Sequence, residues 1–101
     1  MFEIRTLKYF DKWINKLKDN KLKAIIFDRL DRIHYDENFG DYRLLEDTKY
    51  IYELRIHYKD GYRIYFIKEA RQIVILLCAG DKGRQKLDIK RAKEILNRGI
   101  E

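Results

Sequence analysis

Residues 52–66, Tyr52-Glu53-Leu54-Arg55-Ile56-His57-Tyr58-Lys59-Asp60-Gly61-Tyr62-Arg63-Ile64-Tyr65-Phe66, alternate apolar and polar side chains on both sides of Lys59-Asp60-Gly61. Alternation of this kind is the pattern of a half-buried strand, and a glycine able to take positive φ between two such runs marks a hairpin. With Lys59-Asp60-Gly61 as a three-residue loop, Tyr58 faces Tyr62, Ile56 faces Ile64 and Leu54 faces Phe66, forming one apolar face. The same register sets His57 opposite Arg63 and Arg55 opposite Tyr65 on the other face, with Glu53 on that side. A one-residue slip would mix the two sets, so the loop and the faces together select this register over that neighbour.

Outward from the hairpin, Tyr42-Arg43-Leu44-Leu45, the strand from Tyr50 to Tyr58, Tyr62 to Lys68 and Gln72 to Ala79 read as a meander of antiparallel strands with turn residues between them. Ile73-Val74-Ile75-Leu76-Leu77-Cys78-Ala79 is apolar on both faces and is expected to be central and covered on each side. Phe2-Glu3-Ile4-Arg5 reads as a short strand, and Thr6 as the cap of a helix whose inward stripe is Phe10, Trp13, Ile14 and Leu17. Asp19-Asn20 interrupts that helix, and Leu22, Ile25, Ile26, Leu30 and Ile33 continue at helical spacing, which makes a helical hairpin to cover one sheet face. Asn38-Phe39-Gly40-Asp41 ends that section. After Gly80-Asp81-Lys82-Gly83, helical spacing returns at Ile89, Ala92 and Leu96, with Lys90, Arg91 and Lys93 on the exposed side. The expected fold class is α+β: an antiparallel β-sheet with an N-terminal helical hairpin and a short C-terminal helix, residues 1–101 forming a single domain.

Composition narrows the function classes. In 101 residues, 46% are hydrophobic and 40% charged, a core under a densely charged surface rather than a disordered tail. Lys and Arg total 23 against 17 Asp and Glu, a net charge of +6 that favours a polyanion or an acidic protein as partner. The lone Cys78 sits in an apolar run, so no intramolecular disulfide forms and the expected setting is the reducing cytoplasm. No apolar stretch approaches a membrane span, and the start of the chain lacks a secretory pattern. No set of His, Cys or acidic residues has metal-ligand spacing, and no phosphate-binding glycine loop occurs, so no cofactor and no metal are expected.

Arg55, His57, Arg63 and Tyr65 on one sheet face form a set that can hold a phosphodiester, with guanidinium forks on its oxygens and a ring or phenol to move a proton. The bland alternative is a solvated sheet face paired with Glu53 and Asp81. Of the two histidines, His34 near the end of the second helix reads as a surface or capping residue, and only His57 shares a face with Arg63.

Tyr52-Glu53-Leu54-Arg55, Gly61-Tyr62-Arg63-Ile64-Tyr65-Phe66, Leu76-Leu77-Cys78-Ala79-Gly80-Asp81-Lys82, Gln85, Asp88-Ile89 and Ala92 closely resemble the HigB-like addiction module killer proteins of the RelE/ParE toxin superfamily. The similarity runs from Phe39-Gly40-Asp41 almost to the C-terminus, and the preceding helical hairpin also fits. The resemblance implies a toxin of a type II toxin–antitoxin system. Such a toxin is a metal-independent, ribosome-associated mRNA endoribonuclease, restrained by a cognate HigA-like helix-turn-helix antitoxin. It implies Arg63 as the arginine of the Gly-Tyr-Arg motif, Lys82 as a second basic residue and Arg55 beside them. Tyr65 and His57 are candidates for proton transfer by face only. Arg43, Arg84, Gln85 and Lys90 are the expected RNA contacts.

The chain also departs from the pattern. Glu53 stands at a strand position where RelE has a lysine, Asp88 lies near the place of its catalytic tyrosine, and the Asp-Tyr-His ending of well-known HigB proteins is missing. Asp81 fits either the group's motif or a helix cap. Two alternatives follow: a ParE-like, non-enzymatic DNA gyrase inhibitor, and a degenerate toxin that acts only through antitoxin binding. All three imply an acidic, partly disordered antitoxin segment lying over the basic surface.

Overall fold

Ile73–Asp81 forms the longest strand of the sheet because its β-branched and apolar side chains find cover on both faces. The computed structural model describes residues 1–99; the last two positions of the expected 1–101 domain lie outside the described residues. In chain order the elements are β1 (Glu3–Thr6), α1 (Lys8–Lys16), α2 (Asn20–Asp36), β2 (Tyr42–Leu44), β3 (Tyr52–Ile56), β4 (Tyr62–Glu69), β5 (Ile73–Asp81), a 3-10 turn (Lys82–Arg84) and α3 (Gln85–Arg98). The sheet order is β1-β5-β4-β3-β2. β2 to β5 form the expected antiparallel meander, and β1 joins it as a parallel edge strand beside β5.

The two helices of the hairpin cover one face, where Phe10, Leu22, Ile26 and Ile33 pack on Leu54, Ile56, Ile64, Phe66, Val74 and Leu76. α3 covers the other, where Ala92 and Ile95 pack on Tyr65, Ile67, Ile75, Leu77 and Cys78. A bulge lets β5 serve both faces: Tyr65 pairs with Cys78 and Phe66 with Leu76, so Leu77 is the extra residue and turns toward α3 along with Cys78. Among the described residues, no helix is long and apolar enough to cross a membrane.

Two local expectations are corrected. Thr6 does not cap α1; it is the last residue of β1, paired with Leu76, and Leu7 stands at the helix start with no side-chain cap. The β3–β4 loop is longer than three residues. Ile56 pairs with Tyr62 and Leu54 with Ile64, which leaves residues 57–61 as the loop. Lys59 and Gly61 both take positive φ, at 52° and 100°, and the Gly61 N–H donates to the Tyr58 carbonyl at 2.9 Å. A tertiary anchor explains the wider turn. Asp19 caps α2 by accepting from the Lys21 and Leu22 N–H groups, and it also accepts from the Tyr58 hydroxyl and the Lys59 ammonium, each at 3.0 Å. The Leu22 N–H and Lys59 hold its carboxyl down at about 2. The shift in pairing is even, so each residue keeps its face while its partner changes.

Candidate nucleic-acid site on the α3 face

The corrected register arranges the polar residues of the α3 face in rows across the strands. The row under α3 runs Arg43, Glu53, Tyr65, Cys78. The next runs Asp41, Arg55, Arg63, Gly80, with the Arg55 N–H donating to the Asp41 carbonyl at 2.9 Å. Beyond it lie His57, Gly61 and Lys82, where the Lys82 N–H donates to the Gly61 carbonyl at 2.9 Å. A Cβ on Gly61 would lie 3.6 Å from Arg63 Nη1 and 3.7 Å from Lys82 Cβ, so the glycine sits between those two cations with no side chain of its own.

Burial grades along these rows. Glu53 and Tyr65 are fully enclosed, the Arg63 side chain is 10% exposed, and His57 and Lys82 are open to solvent. Glu53 Oε1 stands 3.4 Å from Arg43 Nε and 3.4 Å from Arg63 Nε, and its Oε2 accepts from Gln85 Nε2 at 2.8 Å. A carboxylate taken wholly out of water needs such company. Asp41 accepts from Arg55 Nε and Nη2 at 3.2 and 2.9 Å and contacts His57 Nε2 with its other oxygen. The His57 bond, followed by Arg55, holds the Asp41 carboxyl below the usual carboxylate range.

The expectation that this face is solvated is therefore corrected: α3 lies on it and buries Arg63 and Tyr65. The Tyr65 hydroxyl has no surface and no partner among the described residues, and burial, then the charge of Glu53, pushes it far above the ordinary phenol range. Arg63 and Lys82 come together at Gly61, while Arg55, the cross-strand partner of Arg63, shares Asp41 with His57. Arg43 and Gln85 gather on Glu53, Arg84 leans toward Asp88 at 3.8 Å, and Lys90 is exposed on α3 and joins no ion pair among the described residues. Among the described residues, Asp81 makes no cap bond with its side chain and joins no ion pair with the arginines. His34 ties α2 to the chain start through the Phe2 carbonyl, at 2.6 Å. Sequence reasoning missed Asp41, which it took only as the end of a segment. Its role depends on the β2–β3 register, and no local spacing announces it.

Asp88 is also buried. Its Oδ2 has no partner among the described residues and packs so closely on the backbone of Gly80 that a Cβ there would lie 2.0 Å from it. Gly80→Ala is accordingly expected to lower stability by about 1–3 kcal/mol in urea unfolding, and adding Asp88→Ala should return part of that loss. Burial pushes the Asp88 carboxyl above its ordinary value, with Arg84 and Arg91 opposing. In the window between the ordinary and raised values the folded chain binds more protons than the unfolded one, so the charge of Asp88 destabilises the fold fully only above that window. Asp88→Asn should therefore gain stability over the native chain at pH 7, and thermal unfolding should show the gain shrinking as the pH falls into the carboxylate range.

Comparison with known proteins places the chain. Residues 12–99 match the family model described as Phage derived protein Gp49-like (DUF891). An uncharacterized protein of Haemophilus influenzae is 45% identical over 91 residues, covering 90% of this chain and 89% of that protein. Among solved structures, a double arginine-to-alanine mutant of the Escherichia coli toxin RelE in the free state has a TM-score of 0.65 at 13% identity, covering 93% of this chain and 97% of the other. At that identity the likeness is one of fold: a mixed α+β sheet with three helices. The chain belongs to the Gp49-like family of phage-derived proteins.

Proposed function

We propose that the chain is the single-domain toxin of a type II toxin–antitoxin system, a HigB-like endoribonuclease that cuts mRNA on the ribosome in the cytoplasm. The observation that carries this reading is a run of cationic side chains on adjoining strand positions: Arg63 and Lys82 flank Gly61, and Arg55, the cross-strand partner of Arg63, shares Asp41 with His57. In such a cut the ribose 2′-hydroxyl attacks the adjacent phosphorus, the 5′-oxygen leaves with a proton, and a 2′,3′-cyclic phosphate and a 5′-hydroxyl result. Arg63 and Lys82 would stabilise the charge that builds on the non-bridging oxygens. His57, oriented by Asp41, is the group best placed to move a proton, a base held by a third residue. Arg43, Arg84, Gln85 and Lys90 would guide the RNA, and a HigA-like antitoxin with an acidic segment would cover the same surface.

A second reading, gyrase inhibition or antitoxin binding without catalysis, draws on Glu53, whose charge engages both Arg43 and Arg63. Inducible expression separates the two. New 5′ ends inside coding regions within minutes of induction support the nuclease; growth arrest with intact mRNA and damaged DNA supports the gyrase target.

A further inference from the structure

Between α1 and α3, a cleft of about 280 Å³ opens. Its α1 wall presents Tyr9 and Trp13, one turn apart, with Lys12 and Lys16 at the same spacing. Its other wall presents Arg84 of the 3-10 turn and Arg91 of α3, and the Arg91 guanidinium lies 5.1 Å from the centre of the Tyr9 ring. The floor is Cys78, Ala79 and the carboxylate of Asp88, which is 5% exposed and carries the unpartnered oxygen described above. Asp88 sits on Gly80, the cross-strand partner of Arg63, so the cleft adjoins the row that holds the arginine.

We infer that this cleft is a nucleotide subsite of the same RNA-binding surface: it takes an unstacked base of single-stranded RNA next to the scissile phosphate. The inference rests on the nuclease reading for its choice of RNA. Aromatic rings and guanidinium planes hold splayed-out bases by stacking, and the four cations hold the flanking phosphates. Asp88 is the acceptor for a donor on the base edge through Oδ1, the oxygen that faces Arg84, since Oδ2 is sealed against Gly80, and carboxylates accept from exocyclic amines in this way. A cleft meant for anions alone has no use for a buried carboxylate and two aromatic side chains.

Trp13 is the chain's one tryptophan, so its fluorescence reports the cleft directly. The probe is a short oligoribonucleotide with every 2′-hydroxyl methylated, which binds without being cut. It is expected to quench Trp13 emission, and Lys12→Ala with Arg91→Ala, both exposed positions, should remove the quench and raise Kd by about tenfold or more. Unchanged quenching and affinity in that double variant would overturn the subsite. Equal quenching by polyglutamate, which has charge and no bases, would also overturn it and assign the cleft to an acidic protein segment. Quenching without any cleavage of unmodified mRNA would sink the nuclease reading and leave the subsite standing. Cleavage without quenching would do the reverse.

Discussion

Glu53→Ala is expected to cost the fold about 3–5 kcal/mol, the range for removing one partner of a buried ion pair. Glu53 has no exposed surface and faces Arg43, Arg63 and Gln85, while the Arg63 side chain is itself 10% exposed. Deleting the carboxylate leaves that guanidinium buried beside an empty volume, with no anion to replace the lost one. Arg43 suffers less, because nearly half of its side chain meets water. Urea unfolding of Glu53→Ala should show the full loss, and Glu53→Gln, which keeps the shape and the contact with Gln85, a smaller one. A cost below about 1 kcal/mol for Glu53→Ala would mean that the carboxylate is not what stabilises Arg63 in place.

The sequence makes the faces of this sheet legible and leaves their depth unread. Alternation in residues 52–66 assigns Arg55, Arg63 and Tyr65 to one side, as the strand pairing also does, and that assignment survives the change of register because the shift is even. Alternation carries no information on what lies over a face. Cover by α3 depends on contacts between Tyr65, Leu77 and Ala92, far apart in the chain, and it turns a surface tyrosine into a sealed one. The loop was misjudged for a similar reason: Asp19 holds Tyr58 and Lys59 from about 40 positions away, outside any local window. Glu53 stood in plain view as a departure from the RelE pattern, and its place under both arginines is visible only in three dimensions.

Arg63→Lys is the second large effect. Lysine keeps a positive charge near Glu53, so the fold should persist with a loss smaller than that of Glu53→Ala, but it lacks the planar fork that spans two phosphate oxygens. Cleavage of ribosome-bound mRNA is expected to fall by about 10²-fold or more, the scale for losing one preplaced donor to the transition state. Arg63→Ala should abolish cleavage and also weaken the fold, since the residue is enclosed. Lys82→Ala lies in solvent and should reduce cleavage with little change in unfolding. An Arg63→Lys protein that unfolds in urea like the native chain and still cuts at the native rate would remove Arg63 from the chemistry.

The measurement that bears most directly on the cluster around Gly61 is the chemistry of the ends made when purified protein meets ribosomes stalled on a defined mRNA. Native protein should leave a 5′-hydroxyl on one fragment and a 2′,3′-cyclic phosphate on the other, with no fragments from Arg63→Ala. Fragments with 5′-phosphate ends, or the same fragments from Arg63→Ala, would contradict attack by the ribose hydroxyl at this site.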